Sequence, residues 1–274
     1  MSIIQKIYDL AEQIRRRVNL MEVCGTINDL AMMGAEPIGI SLSIVIEEGF
    51  LKADFEKILN SINKISKEAD APIVTGDTKV TEKGKIDKIE ITTAGVGLAK
   101  KIIANSGAKA GDNIIASGDL GKHAIALLTE RFNYKTKIKS DSKPLNKEME
   151  KARRYLNACK DPTRGGLAAN LNEMAEKSQI KIILEENSLP YKKEVVAVSE
   201  LLGIDIFSLA SEGRFVAAVL PKNTDKVLDI LKKFNSETKV IGRAEKGEGL
   251  FLKTKFNSLR PIEMPRGKLI PRIC

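Results

Sequence analysis

Tryptophan is absent from the 274-residue chain, histidine occurs once, at His123, and there are only eight phenylalanines and four tyrosines. Nucleic-acid surfaces combine basic side chains with aromatic rings that stack on bases, so the net charge of +9 does not point to a nucleic-acid partner. The basic residues are scattered through amphipathic segments, a distribution that suits small anionic ligands such as nucleotide phosphates. Three cysteines, Cys24, Cys159 and Cys274, stand far apart without CxxC or Cys/His spacing, which excludes a disulfide framework and a structural zinc site. No apolar run approaches the ~18 residues of a membrane span, and the first residues lack the charged, apolar, small-residue order of a signal peptide. The expectation is a cytoplasmic protein with reduced thiols and no membrane contact.

What the chain does have is a cysteine at its last position, in Met264-Pro-Arg-Gly-Lys-Leu-Ile-Pro-Arg-Ile-Cys274. Pro261, Pro265 and Pro271 remove backbone donors, so residues 257–274 read as a mobile arm rather than a helix or central strand. Fully extended from Asn257, such an arm spans at most roughly 60 Å. Arg266, Lys268 and Arg272 favour the thiolate of Cys274 while the terminal carboxylate opposes it, which leaves its reactivity open. By itself, a cysteine in a tail is equally a frayed end.

Periodicity divides the rest into alternating strands and helices, an α/β (α+β) pattern in two units. Helices are expected over 1–20, from Cys24 to a stop at Pro37, and over Asp54–Ala69. Strands are expected at Ile38–Ile46, at Ala71–Lys79 with a break at Gly76, and at Ile86–Val96. After a boundary near Ala99–Gly111 the pattern restarts with a strand at Asn113–Ser117 and a helix at His123–Glu130. A helix at Lys147–Cys159 and another at Leu167–Lys177 follow, the latter capped by Asp161 and Thr163. Strands at Ile180–Glu185, Phe215–Leu220 and Lys239–Ala244 enclose helices at Lys193–Leu202 and Asp225–Phe234.

Several polar groups stand out against this frame. Val74-Thr-Gly-Asp-Thr-Lys79 delivers Thr75, Asp77 and Lys79 beside Gly76, equipment for a magnesium ion and phosphate oxygens as much as for an ordinary polar turn. Asn28-Asp29 interrupts an apolar helix, where Asp29 is either a second magnesium ligand or a cap. Asp161-Pro-Thr-Arg164-Gly-Gly suits an anion at a helix start or a plain capping turn. Glu212 in Ser-Glu-Gly-Arg214 is either a base or half of a turn pair, and His123 is either an acid/base group or structural.

Taken together, Val-Cys-Gly-Thr-Ile-Asn-Asp-Leu-Ala-Met-Met-Gly-Ala-Glu-Pro, Val-Thr-Gly-Asp-Thr-Lys-Val, Asp-Pro-Thr-Arg-Gly-Gly-Leu, Ser-Glu-Gly-Arg and the terminal Pro-Arg-Ile-Cys resemble the HypE family of hydrogenase maturation factors, in order over residues 23 to 274. That family is grouped with aminoimidazole ribonucleotide synthetase, selenophosphate synthetase and thiamine monophosphate kinase, which share a two-domain architecture and ATP-dependent activation of an oxygen. The resemblance implies that Cys274 receives a carbamoyl group from the carbamoyltransferase HypF and that ATP drives its dehydration to a thiocyanate. The cyanide then passes to iron in the HypC-HypD scaffold of [NiFe]-hydrogenase assembly. It implies Asp29 and Asp77 as Mg2+ ligands and Asn28, Thr75, Gly76, Asp77 and Arg164 at the nucleotide. Lys79 and Glu212 would be catalytic alongside Cys274, in a homodimer. The family pattern also carries a glycine-rich loop and barrel-forming strands ahead of the Cys24 motif that residues 1 to 20 do not resemble. The expected organisation is therefore a truncated ATP-binding domain over 1–105, an α/β domain over 106–256 and a tail over 257–274. The alternatives are a short form that binds maturation partners without ATP turnover, and a sister-family kinase or synthetase.

Overall fold

The computed structural model describes residues 22–132 and 136–265, so the helix expected over 1–20 and the last nine residues lie outside it. The chain divides into two discontinuous units. Among the described residues the first holds 22–31, Ala35–Lys100 and Ser142–Lys147, and the second holds Met32–Gly34, Lys101–Asp141 and 148–265.

In the first unit a helix over 22–32, α1, ends at Gly34 rather than at Pro37. Gly34 has φ 77°, a left-handed conformation that stops the helix three residues ahead of Pro37, and the Ala35 amide closes the end on the Leu30 carbonyl. Strand β1 (Glu36–Glu47) then runs at the centre of a three-stranded sheet, parallel to β2 (Ile73–Thr81) and antiparallel to β3 (Ile89–Leu98). The break expected at Gly76 is absent. Gly76 pairs in register with Leu42, and the irregularity falls one pair earlier, between Ile40 and Ser41. Helix α2 (Lys52–Ala69) carries Ile58, Ile62, Ile65 and Ala69 on one stripe, and these pack with Ile40, Leu42, Ile44 and Ile46 of β1 and with Val23 and Ile27 of α1. Each such fully buried aliphatic side chain stabilises the unit by about 2 kcal/mol.

The second unit is built on a seven-stranded sheet in the order β10-β9-β6-β8-β4-β7-β5. Its strands are β4 (Asn113–Ala116), β5 (Leu156–Lys160), β6 (Lys181–Glu185), β7 (Val216–Val219), β8 (Lys239–Glu245), β9 (Gly249–Lys253) and β10 (Leu259–Pro261). All pairings are antiparallel except β6 with β9. The helix expected over Lys147–Cys159 stops early. Helix α4 covers Asn146–Ala152, and Leu156–Lys160 pairs with β7 because burying Leu156, Ala158 and Cys159 in the sheet outweighs a weak helical preference.

Between these strands lie α3 (Lys122–Arg131), α5 (Gly166–Ser178), α6 (Lys193–Leu202) and α7 (Thr224–Lys232). Leu167, Leu171 and Met174 of α5 join Ile114, Ile182, Val216 and Ile241 in the main core. Ala124, Ile125 and Leu128 of α3 form a second cluster with Val195 of α6, Leu209 and Ala210. Residues 259–262 do not belong to the mobile arm expected from Asn257. Leu259–Pro261 is an edge strand on β9 and Ile262 is buried, with Pro261 tolerated because an edge position needs no amide on its outer side.

Candidate functional site

The strongest sequence motif folds into the open face of the first unit. Strand alternation and register place Thr75 in a row with Ser41 and Ala94, Asp77 with Ser43 and Thr92, and Lys79 with Val45 and Glu90. Thr75, Asp77 and Lys79 are all exposed, on a strand whose outer edge has no partner among the described residues. Neither Asp77 nor Lys79 has an ion-pair partner there, so a hydroxyl, a carboxylate and an ammonium stand side by side and unengaged.

The Asn28-Asp29 pair is resolved in the opposite sense to the expected one. Asn28 is the residue inside: it is fully buried, its Oδ1 accepts the Leu145 amide at 2.8 Å and its Nδ2 donates to the Lys143 carbonyl at 3.2 Å. It thus clamps the segment 143–145, with both ends of its amide holding backbone. Asp29 is exposed, and partial burial against surrounding protein raises its carboxyl above the usual range. Helix α1 stands on the inner sheet face, where the Thr26 and Thr93 hydroxyls meet at 2.6 Å, whereas Asp77 alternates to the outer one. No hydrogen bond or shared register joins Asp29 to Asp77, and among the described residues no group of three or more His, Cys, Asp or Glu side chains could hold a metal.

Arg164 is exposed at the start of α5. The cap expected from Asp161 and Thr163 is not made: the N-cap is Gly165, with no side-chain hydrogen bond. Gly166 has φ 59°, and a Cβ there would meet the Phe207 carbonyl oxygen at 2.6 Å and that of Leu209 at 2.7 Å. The paired glycines therefore serve a close backbone approach.

Glu212 belongs to a buried polar cluster that sequence reasoning saw only in part. Asp119, in the turn before α3, accepts from Arg214 Nη2 at 2.8 Å and from Asn235 Nδ2 at 3.3 Å, and pairs closely with Lys122. Burial works to raise the Asp119 carboxyl, but hydrogen bonds from Lys122 and Arg214 and their charges outweigh it and hold it well below the usual carboxylate range. Arg214 also donates through Nε to the Asp119 carbonyl and through Nη1 to that of Gly213. The backbone amide of Glu212 donates to Asp141 Oδ1 at 3.0 Å, and Ser211 Oγ accepts from the Gly121 amide at 2.8 Å. Burial pushes the Asp141 carboxyl up, against the Arg214 charge and the hydrogen bonds from the Glu212 amide and Ser211. His123 is fully buried with Nδ1 at 2.8 Å from Ser140 Oγ, which makes it part of the same loop junction. Asp119 lies in the Gly-Asp-Leu-Gly-Lys turn between β4 and α3. Asp141 lies in an unremarkable Lys-Ser-Asp-Ser stretch and carried no signal.

Cys274 lies outside the described residues. At the root of the tail, a concavity of about 400 Å³ is lined by Asp205, Phe207, Arg260, Ile262 and Glu263 among others.

Two family models match the chain, the AIR synthase related protein N-terminal domain over residues 20–99 and its C-terminal domain over 109–255. A hydrogenase expression/formation protein of Methanocaldococcus jannaschii is 44% identical over 94% of this chain and 79% of its own length. The carbamoyl dehydratase HypE of Rhizobium leguminosarum is 40% identical over 94% of this chain and 77% of its own. Among solved structures, a HypE-HypF complex matches with a TM-score of 0.87 and 36% identity, over 90% of this chain and 84% of that one. HypE in complex with ATP matches with a TM-score of 0.89 and 32% identity, over 93% and 81%. Thiamine monophosphate kinase of Aquifex aeolicus shares the fold at 19% identity and a TM-score of 0.73. Motif order, both domain models and the identity of the full-length relatives agree, and the chain belongs to the HypE family of AIR synthase related proteins.

Proposed function

We propose that this chain is an ATP-dependent carbamoyl dehydratase acting on its own C-terminal cysteine, in the maturation of [NiFe]-hydrogenase. The observation that carries the reading is the outer row of β2, where Thr75, Asp77 and Lys79 stand exposed and unengaged on one face. The ATP-bound relative at 32% identity supports a nucleotide as the ligand of such a row.

The residues fit a magnesium nucleotide. Mg2+ keeps several waters and takes one or two carboxylates together with phosphate oxygens; Asp77 would supply one from the outer row, while Asp29, on the helix against the other sheet face, is not joined to it. When bound, the ion supplies neutralisation of the phosphate charge. Thr75 donates to a phosphate oxygen, Gly76 lets the strand lie close against Leu42 on the other face, and Lys79 stabilises the charge on the group being transferred. Arg164, exposed and without an ion-pair partner among the described residues, remains a cation for the nucleotide.

The chemistry starts from a carbamoyl group on the Cys274 sulfur, S–C(=O)–NH2. Its oxygen attacks the γ-phosphorus of ATP, ADP leaves, and one N–H proton is taken up to give the phosphorylated imidate. Breaking the C–O bond then expels phosphate, the second N–H proton leaves, and S–C≡N remains. Phosphorylation turns a poor leaving group into a good one, and Glu212 is the base that takes up the nitrogen protons. The donor of the carbamoyl group is the carbamoyltransferase HypF, as the complex of a relative supports, and the acceptor of the cyanide is the HypC-HypD scaffold. The unpartnered edge of β2, with Val74 and Val80 about two-thirds exposed, supports a homodimer built on that edge.

Intact mass after incubation with ATP, magnesium and HypF with its carbamoyl donor tests the reading. The expected product is a cyanated Cys274, absent in Cys274→Ala. A carbamoylated cysteine that persists with ATP present would leave the chain as a partner-binding form without turnover.

A further inference from the structure

Asp141 is used by no step above, yet it is among the most constrained carboxyls in the second unit. It is 8% exposed, its Oδ1 accepts the Glu212 amide at 3.0 Å, and its Oδ2 is buried without a hydrogen-bond partner. A buried acceptor left unpaired costs about 1–3 kcal/mol, so something must hold this side chain in place. The groups facing it are Arg214 and Asp119 through charge, the Glu212 amide through its hydrogen bond to Oδ1, and the Ser211 side chain. The surrounding cations are Arg214 and Lys122, and the carboxyls are Asp119, Glu212 and Asp141 itself. Burial disfavours the charged form of Asp141 and pushes its carboxyl up, and the negative charge of Asp119 adds to that. A neutral carboxyl keeps a carbonyl oxygen that accepts a backbone amide without bringing a third negative charge next to the base.

We propose that Asp141 is a positioning residue for Glu212: its Oδ1 pins the Glu212 amide and so fixes the Ser211-Glu212-Gly213-Arg214 turn from which the base projects. Three anchors converge on that turn. Asp119 holds Arg214 at its end, the Gly121 amide holds Ser211 at its start, and Asp141 holds the residue between. Asp141 is also the last residue of the second unit before the chain enters the segment Ser142–Lys147 of the first. The same segment is held in the first unit by Asn28 on Lys143 and Leu145 and by Asn146 on the Ala69 carbonyl at 2.7 Å.

This rests on Glu212 being the base, and the test separates the two claims. In full-length protein, amide hydrogen exchange at Glu212 is measured for wild type, Asp141→Ala and Asp141→Asn, together with single-turnover dehydration of the carbamoylated chain. Asparagine keeps the neutral side-chain oxygen, so Asp141→Asn should retain Glu212 protection and a rate within about threefold of wild type. Asp141→Ala should lose protection and slow dehydration about 100-fold, the scale of a misplaced catalytic group, with the KM for ATP unchanged. Equal slowing in Asp141→Asn and Asp141→Ala overturns the proposal, because the ionised carboxylate and not its acceptor oxygen would then matter. Unchanged Glu212 exchange in Asp141→Ala overturns it as well. If Glu212→Gln retains full activity while the exchange pattern is as expected, the assignment of the base fails and the pinning of the turn stands.

Discussion

The two units treat their polar residues in opposite ways. On the outer face of the first, Thr75, Asp77 and Lys79 are exposed and unengaged; in the second, Asp119, Asp141, Glu212 and Arg214 are each less than a tenth exposed and tied into shared loops. A face that must accept a charged, hydrated ligand and release it is cheapest to leave open. A group that must meet a proton at one position is held by neighbours that fix it. Removing a side chain should accordingly cost binding in the first unit and folding in the second.

The largest effect is expected from Asp119→Ala, which takes from the buried Arg214 its ion-pair partner and from half-buried Lys122 the same carboxylate. Denaturant unfolding should show a loss of about 3–5 kcal/mol, and a loss no larger than that of a surface substitution would break the contrast. Gly166→Ala comes next, since the new methyl meets carbonyl oxygens at 2.6 and 2.7 Å in a left-handed conformation. A destabilisation of about 1–3 kcal/mol by the same measurement is expected, with soluble, folded protein retained.

The pH dependence has two opposing limbs. Asp119 is held below its usual 3.8, so its contribution is present above that value and is lost as pH falls toward its folded value. Asp141 is raised, so its contribution is present below 3.8 and declines as pH rises through its higher folded value. Unfolding midpoints from about pH 3 to about pH 7 should therefore show a flatter acid limb in Asp119→Asn and a flatter rise-side decline in Asp141→Asn. The smallest change in stability, within about 0.5 kcal/mol, belongs to Asp77→Asn, which nonetheless should weaken ATP binding at least about tenfold by calorimetry. Normal nucleotide affinity in that variant would remove the first half of the contrast.

The alternation of strands and helices, and most element positions, were readable because apolar spacing survives in the sequence: Ile58, Ile62 and Ile65 announce α2, and the run from Val216 to Val219 announces a strand buried on both faces. Leu156–Lys160 was misread as helix because its strand character comes from a partner, β7, sixty residues further on. Within Asn28-Asp29, composition could not say which residue faces inward; that depends on the segment 143–145 arriving to be clamped. Asp141 was invisible for the same reason, since its neighbours are set by three loops distant in sequence. The exposed row of β2 was legible because ligand-facing groups cluster in sequence when a single strand presents them.

The short strand β10 carries one more consequence. With Leu259–Pro261 on the sheet edge and Ile262 buried, the stretch that leads to the terminal thiol is counted from Pro265 rather than Asn257. Its contour length is then at most about 30 Å, half of the earlier bound. A reactant confined to so small a volume meets any site within reach at an effective concentration on the order of millimolar, whatever the concentration of the protein itself. Dehydration within one molecule should therefore proceed at a rate independent of dilution, whereas carbamoylation by a separate protein and delivery to another should not.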